Sequence, residues 1–369
     1  MKPAVPRKLP RTGLDWERLI PQIGAANRAL ARYDGVLQGV PNPVILLSPM
    51  TTQEAVLSSR IEGTRATLDE VLKFEAGEEV PEEERRLDIL EIINYRRALH
   101  VAEAALQRRP FNLNLLRELH GTLLDGVRGR DKARGRFRTV QNYIAPPGAG
   151  LEQALFIPPE PSRVMEHMDN WEKYYHADER DALVQLAIVH AQFEIIHPFV
   201  DGNGRLGRML VPLFLFERTL LSRPMFYLSA YLEAHRDEYY ALLRALDGPE
   251  TWNRWIAFFL LALAEQAQAN SEKARGILEL YARLKEQVLS LTHSQYAVPL
   301  LDHLFRQPIF RPSTLFELKG MPSKPMVMEL LRKLRDAGIL GVLREARGRR
   351  GQILVLTELV DLSEGREVV

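Results

Sequence analysis

Two strongly apolar segments, "ALVQLAIVHAQFEII" (Ala182–Ile196) and "LGRMLVPLFLFERTLL" (Leu206–Leu221), stand on either side of the polar stretch "HPFVDGNGRLGR" (His197–Arg208). Neither apolar segment keeps a polar face, so each reads as a helix buried on most sides. A chain that carries such a pair has to wrap further helices around it, and the rest of the sequence supplies them. Amphipathic spacing appears in "DWERLIPQIGAANRALARYDGVL", from Thr51 to about residue 73, from about Arg85 to Leu106, and after the cap residue Asn112. Thr51 is expected to cap the second of these, and Gly63 to interrupt it. "PNPVILLSPM" is expected to be extended or loop-like because of its prolines.

The helical periodicity fails once inside this region. From Arg128 to Pro161 glycine, arginine and proline dominate, with two β-compatible pieces, "FRTVQNYI" and "ALFIPP". A β-hairpin flap over residues 136–159, between helices, is the reading. Downstream, "EAHRDEYYALLRALDG" and "TWNRWIAFFLLALAEQAQAN" complete a mainly α core. A long amphipathic segment (Ser271–Leu291) then leads to a helix at Ser313–Leu318, a turn through Gly320, a helix at Ser323–Ala337 and two β-like pieces around "RGRRG". That order is a winged-helix pattern. The expected division is an N-terminal helical region at 1–105, a helical core at 106–268, and a C-terminal α+β winged helix at 270–369.

Totals narrow the function classes. The net charge of +1 in 369 residues gives no global attraction to nucleic acid or membrane. No cysteine is present, which removes disulfides, thiolate zinc sites and cysteine nucleophiles. "MKPAVPRKLPRTGL" is basic and proline-rich without the apolar centre of a secretory signal, and "WIAFFLLALA" is about half the ~20 residues of a membrane span. A cytoplasmic protein without membrane contact is the expectation.

The link between the apolar helices carries the chemistry. Its three glycines and two arginines suit an anion. Gly202 and Gly204 let successive N–H groups turn inward at a helix N-terminus, where the dipole adds attraction. Arg205 and Arg208 are three apart and share a face, although cations there oppose the dipole by up to ~1 kcal/mol each. Two arginines in that place make more sense facing a polyphosphate. Asp201 beside the nest would be repelled by phosphate unless a divalent cation such as Mg²⁺ lay between them. His197 is then the group placed to move a proton. Taken one at a time, the same residues also describe a turn that caps a helix.

The whole stretch resembles the signature of the Fic family, HPFx[D/E]GNGRxxR, with every fixed position matched. The resemblance implies a Fic-type helical core and transfer of AMP from ATP to a Ser, Thr or Tyr hydroxyl of a target protein. It implies His197 as general base, Asp201 as holder of Mg²⁺, and residues Gly202, Asn203, Gly204, Arg205, Leu206, Gly207 and Arg208 around the phosphates. "SSRIEG" (Ser58–Gly63) is similar to the family's inhibitory motif [S/T]xxxE[G/N] through Ser58, Glu62 and Gly63. By that resemblance Glu62 pairs with Arg208, which then cannot clamp a phosphate, and the inhibitory helix lies at about 51–73. Leu155, Phe156 and Ile157 fall where relatives present a target segment to the active site by strand addition. "EYYALLRALD" resembles the segment that contacts adenine and ribose, which brings in Tyr240 and Asp247, although relatives often carry Asn where Asp247 stands.

Other readings stay open beside this one. A family variant could remove AMP, since an inhibitory glutamate can also position a water. The chain could instead be a DNA-binding regulator whose core senses nucleotide. Lys324, Arg332, Lys333, Arg335, Arg347, Arg349 and Arg350 could meet phosphates. Met326, Val327 and Met328, however, bring little hydrogen bonding where base edges would be read, so DNA is not favoured. A homodimer is an open expectation.

Overall fold

The computed structural model describes residues 2–127, 133–145, 148–347 and 350–365. Pro146 and Pro147 of the expected flap, Arg349 of the expected wing tip and the last four residues of the expected C-terminal domain lie outside them. The described residues are mainly helical, with one small sheet. Contacts group them into two units interleaved in sequence. One takes residues 1–34, 57–63 and 94–268; the other takes 35–56, 64–93 and 269–369.

The first unit holds most of α1 (Trp16–Gln38), the C-terminal end of α3 (Ser48–Ile61) and the C-terminal half of α5 (Glu83–Leu106). It continues through α6 (Leu113–Leu123), α7 (Val164–His176), α8 (Ala182–Ile196), α9 (Asn203–Glu217), α10 (Ser229–Ala234) and α11 (Arg236–Arg244), into the start of α12 (Pro249–Thr292). α8 is the centre, as its unbroken apolar run requires. Trp171 of α7 and Trp255 of α12 are both fully buried, and their indole N–H groups donate to α8 carbonyls, at Val189 (2.8 Å) and Ala187 (2.8 Å). Burying each such ring stabilises the unit by about 2–3 kcal/mol, and the N–H bonds keep that burial free of an unmet donor.

Asn112 caps its helix as expected, and Asp181 caps α8 in the same way. Asn112 accepts the Leu115 N–H at 2.9 Å, and Asp181 accepts those of Leu183 and Val184 at 2.9 and 3.0 Å. Elsewhere the expectation fails. α2 (Pro43–Leu46) and α3 make "PNPVILLSPM" helical, because Pro43 and Pro49 sit at helix starts where a missing N–H costs nothing. Thr51 is accordingly inside α3, its hydroxyl donating back to the Leu47 carbonyl, rather than at the cap. The contact grouping changes after Gln268 without any break in the helix. α12 runs unbroken for 44 residues, since no proline follows its first residue and Gly276 alone does not stop a packed helix.

The flap is irregular. Ile144 and Phe156 form an isolated antiparallel bridge, and Leu151–Gln153 make a short 3₁₀ turn, so the two β-compatible pieces meet at one point instead of along a ladder.

The second unit contains α2, α4 (Leu68–Glu75), α13 (Ala297–Arg306), α14 (Pro312–Leu315), α15 (Lys324–Asp336) and α16 (Thr357–Glu364). Its sheet joins β1 (Ile309–Phe310), β3 (Ile353–Val355) and β2 (Gly341–Arg344) in that order, all antiparallel. α15 stops before Gly338, whose φ of +72° suits glycine. Among the described residues no helix is long and apolar enough to cross a membrane.

Candidate active site

α8 ends on His197, whose backbone is left-handed (φ 49°, ψ 60°) while its N–H still donates to the Phe193 carbonyl at 2.9 Å. A non-glycine residue in that region is uncommon and needs outside support. Arg138 supplies it. Its side chain is buried, and it donates to the carbonyls of His197 (2.9 Å), Ile196 (3.3 Å) and Pro159 (2.6 Å). A cation on the last carbonyls of α8 also meets the negative end of the helix dipole. Burial lowers the Arg138 pKa to about 10, still far above neutrality, so the guanidinium stays charged.

The loop beyond His197 is closed by its own asparagine. Asn203 accepts the Phe199 N–H through Oδ1 and returns its amide N–H to the Phe199 carbonyl, both at 2.9 Å. The Asn203 side chain is thus spent on shaping the loop and is nearly fully buried. Gly202 follows at φ +77°, and α9 begins. Asp201 accepts the Gly202 N–H on Oδ1 (2.6 Å), and that oxygen lies 3.7 Å from Arg205. About a third of the Asp201 side chain is exposed. One accessible carboxylate is the donor set Mg²⁺ takes when phosphate oxygens complete its shell, and it suits no ion that needs an all-protein cage. Among the described residues no cluster of three metal-ligating side chains occurs.

The first turn of α9 already holds an anion, the chain's own Glu62. Its Oε1 accepts from Arg208 Nη2 at 2.7 Å, while Arg208 also donates to the Ser58 hydroxyl (3.0 Å) and carbonyl (2.8 Å). A methyl group on Gly204 would lie 2.1 Å from the same carboxylate oxygen, so only glycine leaves the seat open. Burial works against the Glu62 charge, but Arg208, its hydrogen bond, Arg205 and His197 together outweigh it and hold the carboxyl below its usual range. Burial likewise opposes the Arg208 charge and Glu62 reverses that, leaving the guanidinium above its ordinary value. Gly63 (φ +101°) then turns the chain away.

Burial lowers the His197 pKa to about 4, against an opposing pull from Glu62. The imidazole is therefore neutral at pH 7 and free to accept a proton.

Tyr240 lies close enough to Glu62 and Arg208 for both to affect its hydroxyl, whose pKa burial raises. Asp247 is apart from this cluster: its carboxylate is exposed and 3.8 Å from Arg7. Leu206 and Gly207 line the buried face of α9, with Gly207 giving room to Glu194, whose oxygen would be 2.1 Å from an added methyl group. On the flap, Leu155 is exposed, Phe156 half-buried and Ile157 buried.

Four residues outside the expected set shape the site. Arg138 is one. His120 receives the Gly135 N–H on Nδ1 (2.9 Å), so its Nε2–H donates to the Asp201 carbonyl (3.0 Å), and it stacks on Phe199 with ring centroids 3.8 Å apart. His190 bonds the Gly207 carbonyl through Nδ1 (3.0 Å); that carbonyl only accepts, so Nδ1 carries the proton and Nε2 accepts from Tyr239 (2.9 Å). Burial takes the pKa of His120 to about 4 and of His190 to about 3, which keeps both neutral. Glu194 is the fourth: burial raises its pKa to about 8, and Oε1 has no partner. Single histidines inside apolar helices announce no role by spacing, and which of the arginines in "RGRDKARGRFR" is buried cannot be told from order alone.

Residues 20–104 match the family described as Fic/DOC family N-terminal, and residues 110–215 match the Fic/DOC family. A protein adenylyltransferase Fic of Drosophila virilis is 30% identical over 161 residues, which is 42% of this chain and 29% of the relative. A probable protein adenylyltransferase of Aquifex aeolicus is 36% identical over 87 residues, 23% of this chain and 27% of that protein. The match thus spans less than a third of either relative's length. Among solved structures, a Fic family protein from Desulfovibrio desulfuricans has a TM-score of 0.60 at 19% identity, covering 95% of this chain and 98% of that one. A Fic domain containing signaling protein from Bacteroides thetaiotaomicron has a TM-score of 0.55 at 18% identity, covering 69% and 97%. At these identities the likeness is one of fold.

Proposed function

The chain belongs to the Fic/DOC family across residues 20–215, and from that premise we propose that it transfers AMP from ATP to a hydroxyl side chain (Ser, Thr or Tyr) of a target protein, restrained by its own Glu62. One observation carries the reading. A carboxylate of the chain is seated on Arg208 at the open first turn of α9, in the place an anionic substrate group would take.

When the target hydroxyl attacks the α-phosphorus of ATP, its oxygen forms the new P–O bond and pyrophosphate departs. His197 takes the hydroxyl proton, which its neutral imidazole permits at pH 7. Arg208 and Arg205 face the charge gathering on the departing group, and the N–H groups at the start of α9 receive phosphate oxygens. Mg²⁺ bound at Asp201 would offset the negative charge shared between phosphates. Asp201 is kept in place by the His120 bond to its carbonyl. Tyr240, beside Arg208, is read as part of the nucleotide wall, whereas exposed Asp247 has weaker grounds.

With Glu62 in its seat, Arg208 has its donors on Ser58 and Glu62, so the γ-phosphate lacks its clamp. The flap is the target's platform: Val140, Tyr143, Ile144, Leu151 and Leu155 expose apolar surface on one irregular segment.

We read the C-terminal elements from α13 to α16 as a winged helix used for docking. The DNA-binding alternative draws less support, because α15's basic residues are interleaved with acids. Arg332 is paired with Asp336 (3.0 Å) and Glu329 (3.8 Å), and Arg335 with Glu345 (4.0 Å).

The test is incubation with Mg²⁺ and ATP labelled on the α-phosphate, using the natural chain, Glu62→Gly, and Glu62→Gly with His197→Ala. Covalent label on the protein or on added lysate should be strong for Glu62→Gly and weak for the natural chain. Removing His197 should lower it by roughly 10²–10⁴-fold. Absence of label from Glu62→Gly protein that still binds ATP sinks the proposal.

A further inference from the structure

The basic, proline-rich segment before α1 has no secondary structure of its own, yet it is held as a bound peptide is held. Recognition falls on its main chain. The Ala4 N–H donates to the Ile157 carbonyl at 2.8 Å. Gln192 of α8 donates its amide N–H to the Arg7 carbonyl at 3.1 Å. Asn170 of α7 grips Leu9 on both sides, accepting its N–H at 2.7 Å and donating to its carbonyl at 3.1 Å. Pro6 and Leu9 are buried and three residues apart, the repeat of an extended polyproline turn. Arg11 closes the run by lying over the Trp252 ring at 4.1 Å.

Arg11 also donates to the Gln192 side-chain carbonyl at 3.3 Å, but the exposed charges of Arg7 and Lys8 add little. Arg7 with Asp247 (3.8 Å) and Lys8 with Glu166 (3.3 Å) are exposed pairs of the kind that contribute next to nothing in water. Side-chain amides that read a backbone are tolerant of what sequence they hold. Such a seat is built to be occupied, and it is occupied here through few bonds.

Its position gives it a consequence. Phe156 spends its N–H and carbonyl on Ile144, so the next residue, Ile157, points its main chain to the opposite edge of the flap, where Ala4 meets it. Two residues on, the Pro159 carbonyl is tied by Arg138 to the carbonyl of His197. A segment adding to this edge is one short step from the reacting histidine.

We infer that residues 4–11 are a resident peptide ligand of a seat running from the flap edge at Ile157 along α7 and α8, and that an extended target segment reaches the flap there by displacing them. The inference rests on the proposed AMP transfer for its consequence but not for its geometry. A tethered arm acts at an effective concentration on the order of mM, so it competes even if a free peptide of the same sequence binds weakly.

The seat is tested first in the full chain, without activity. Asn170→Ala removes both bonds to Leu9 and should speed trypsin cleavage after Lys8 about tenfold, read by mass spectrometry, with Tm nearly unchanged. Equal cleavage rates in the two proteins would overturn the seat. A fluorescent peptide of residues 2–14 should bind a chain lacking residues 2–11 and be rejected by the natural chain; no binding to the shortened chain overturns it as well. In the Glu62→Gly background, the shortened chain should label lysate proteins several-fold faster, and the peptide should suppress that gain without weakening ATP binding. A peptide that binds and suppresses nothing overturns the competition. If Glu62→Gly transfers no label while the peptide binds, it is the activity reading that has failed, and binding with cleavage decides the seat.

Discussion

The loop from His197 to Arg208 and the flap from Arg136 to Pro159 meet at Arg138 and are held by opposite means. In the loop, side chains do the fastening: Asn203 clamps Phe199, Ser58 and Glu62 hold Arg208, and His190 holds Gly207. In the flap, main-chain carbonyls take a larger share. Pro159 and Pro158 accept from the Arg138 and Gln141 side chains, Ile144 and Phe156 bond through their main chains, and Val140, Tyr143, Leu151 and Leu155 are exposed. A loop fastened by side chains fixes its residue types position by position. In the flap, those four exposed residues make no side-chain bond among the described residues and are free to vary with what they must touch.

The sharpest way to break the contrast is to remove the joint. Arg138→Ala would leave the carbonyls of Ile196, His197 and Pro159 without a donor in a buried place, at a cost of about 3 kcal/mol or more. Both regions should loosen together. Hydrogen exchange should accelerate at His197 and at Ile144, and a lower Tm should accompany it. If only the flap loosens, the loop carries itself and the coupling is wrong.

That same contrast governs what the sequence could reveal. The His197–Arg208 stretch stood out because glycines, arginines, an asparagine, an aspartate and a histidine crowd a short span, and the pairing of Glu62 with Arg208 was expected only through the resemblance of both motifs to those of the Fic family. Asn203 was legible as a member of the site but not as the loop's clamp, because its amide suits either an anion or a carbonyl. His120, His190 and Arg138 were not legible. Each acts through neighbours more than a dozen residues away, and no local period marks them. Helix ends at Pro43 and Pro49 were misjudged because a proline that breaks a helix also starts one. The unbroken α12 shows that a change of contact group, here after Gln268, needs no break in the helix.

Glu194 tests the loop's burial by pH. Burial holds its carboxyl up at about 8, so the folded chain keeps a proton the unfolded chain releases in the ordinary carboxylate range. A folded pKa above the unfolded one gives stability that is present in acid and lost as pH rises through about 8. Above pH 7, where the buried histidines are neutral in both the folded and the unfolded chain, the natural chain should lose about 1 kcal/mol more than Glu194→Gln between pH 7 and pH 9. Glu194→Gln should hold the more level profile over that span. Parallel profiles would mean that Glu194 is ionised in the folded chain and paired.

His120→Phe sharpens the comparison at smaller cost. The ring can still stack on Phe199, but the Asp201 carbonyl and the Gly135 N–H lose their partner. About 1–2 kcal/mol of stability should go with those bonds. Because one of them sets the carbonyl of Asp201, Mg²⁺-dependent ATP binding should weaken more than Mg²⁺-free binding, measured by calorimetry. Equal weakening would make His120 a packing residue only.

The smallest effect on stability belongs to the flap's surface. Leu155 is 46% exposed and its N–H, not its side chain, bonds Ile144. Leu155→Ser should change stability by no more than about 0.5 kcal/mol, since nothing buried is lost. In the Glu62→Gly background it should nonetheless cut label transfer to lysate proteins several-fold while ATP binding stays as it was, because the apolar rim is what an incoming segment would cover. Transfer that is unaffected, with Tm unchanged, would show that the exposed rim takes no part in seating targets, and the difference between the two regions would then be one of bonding alone.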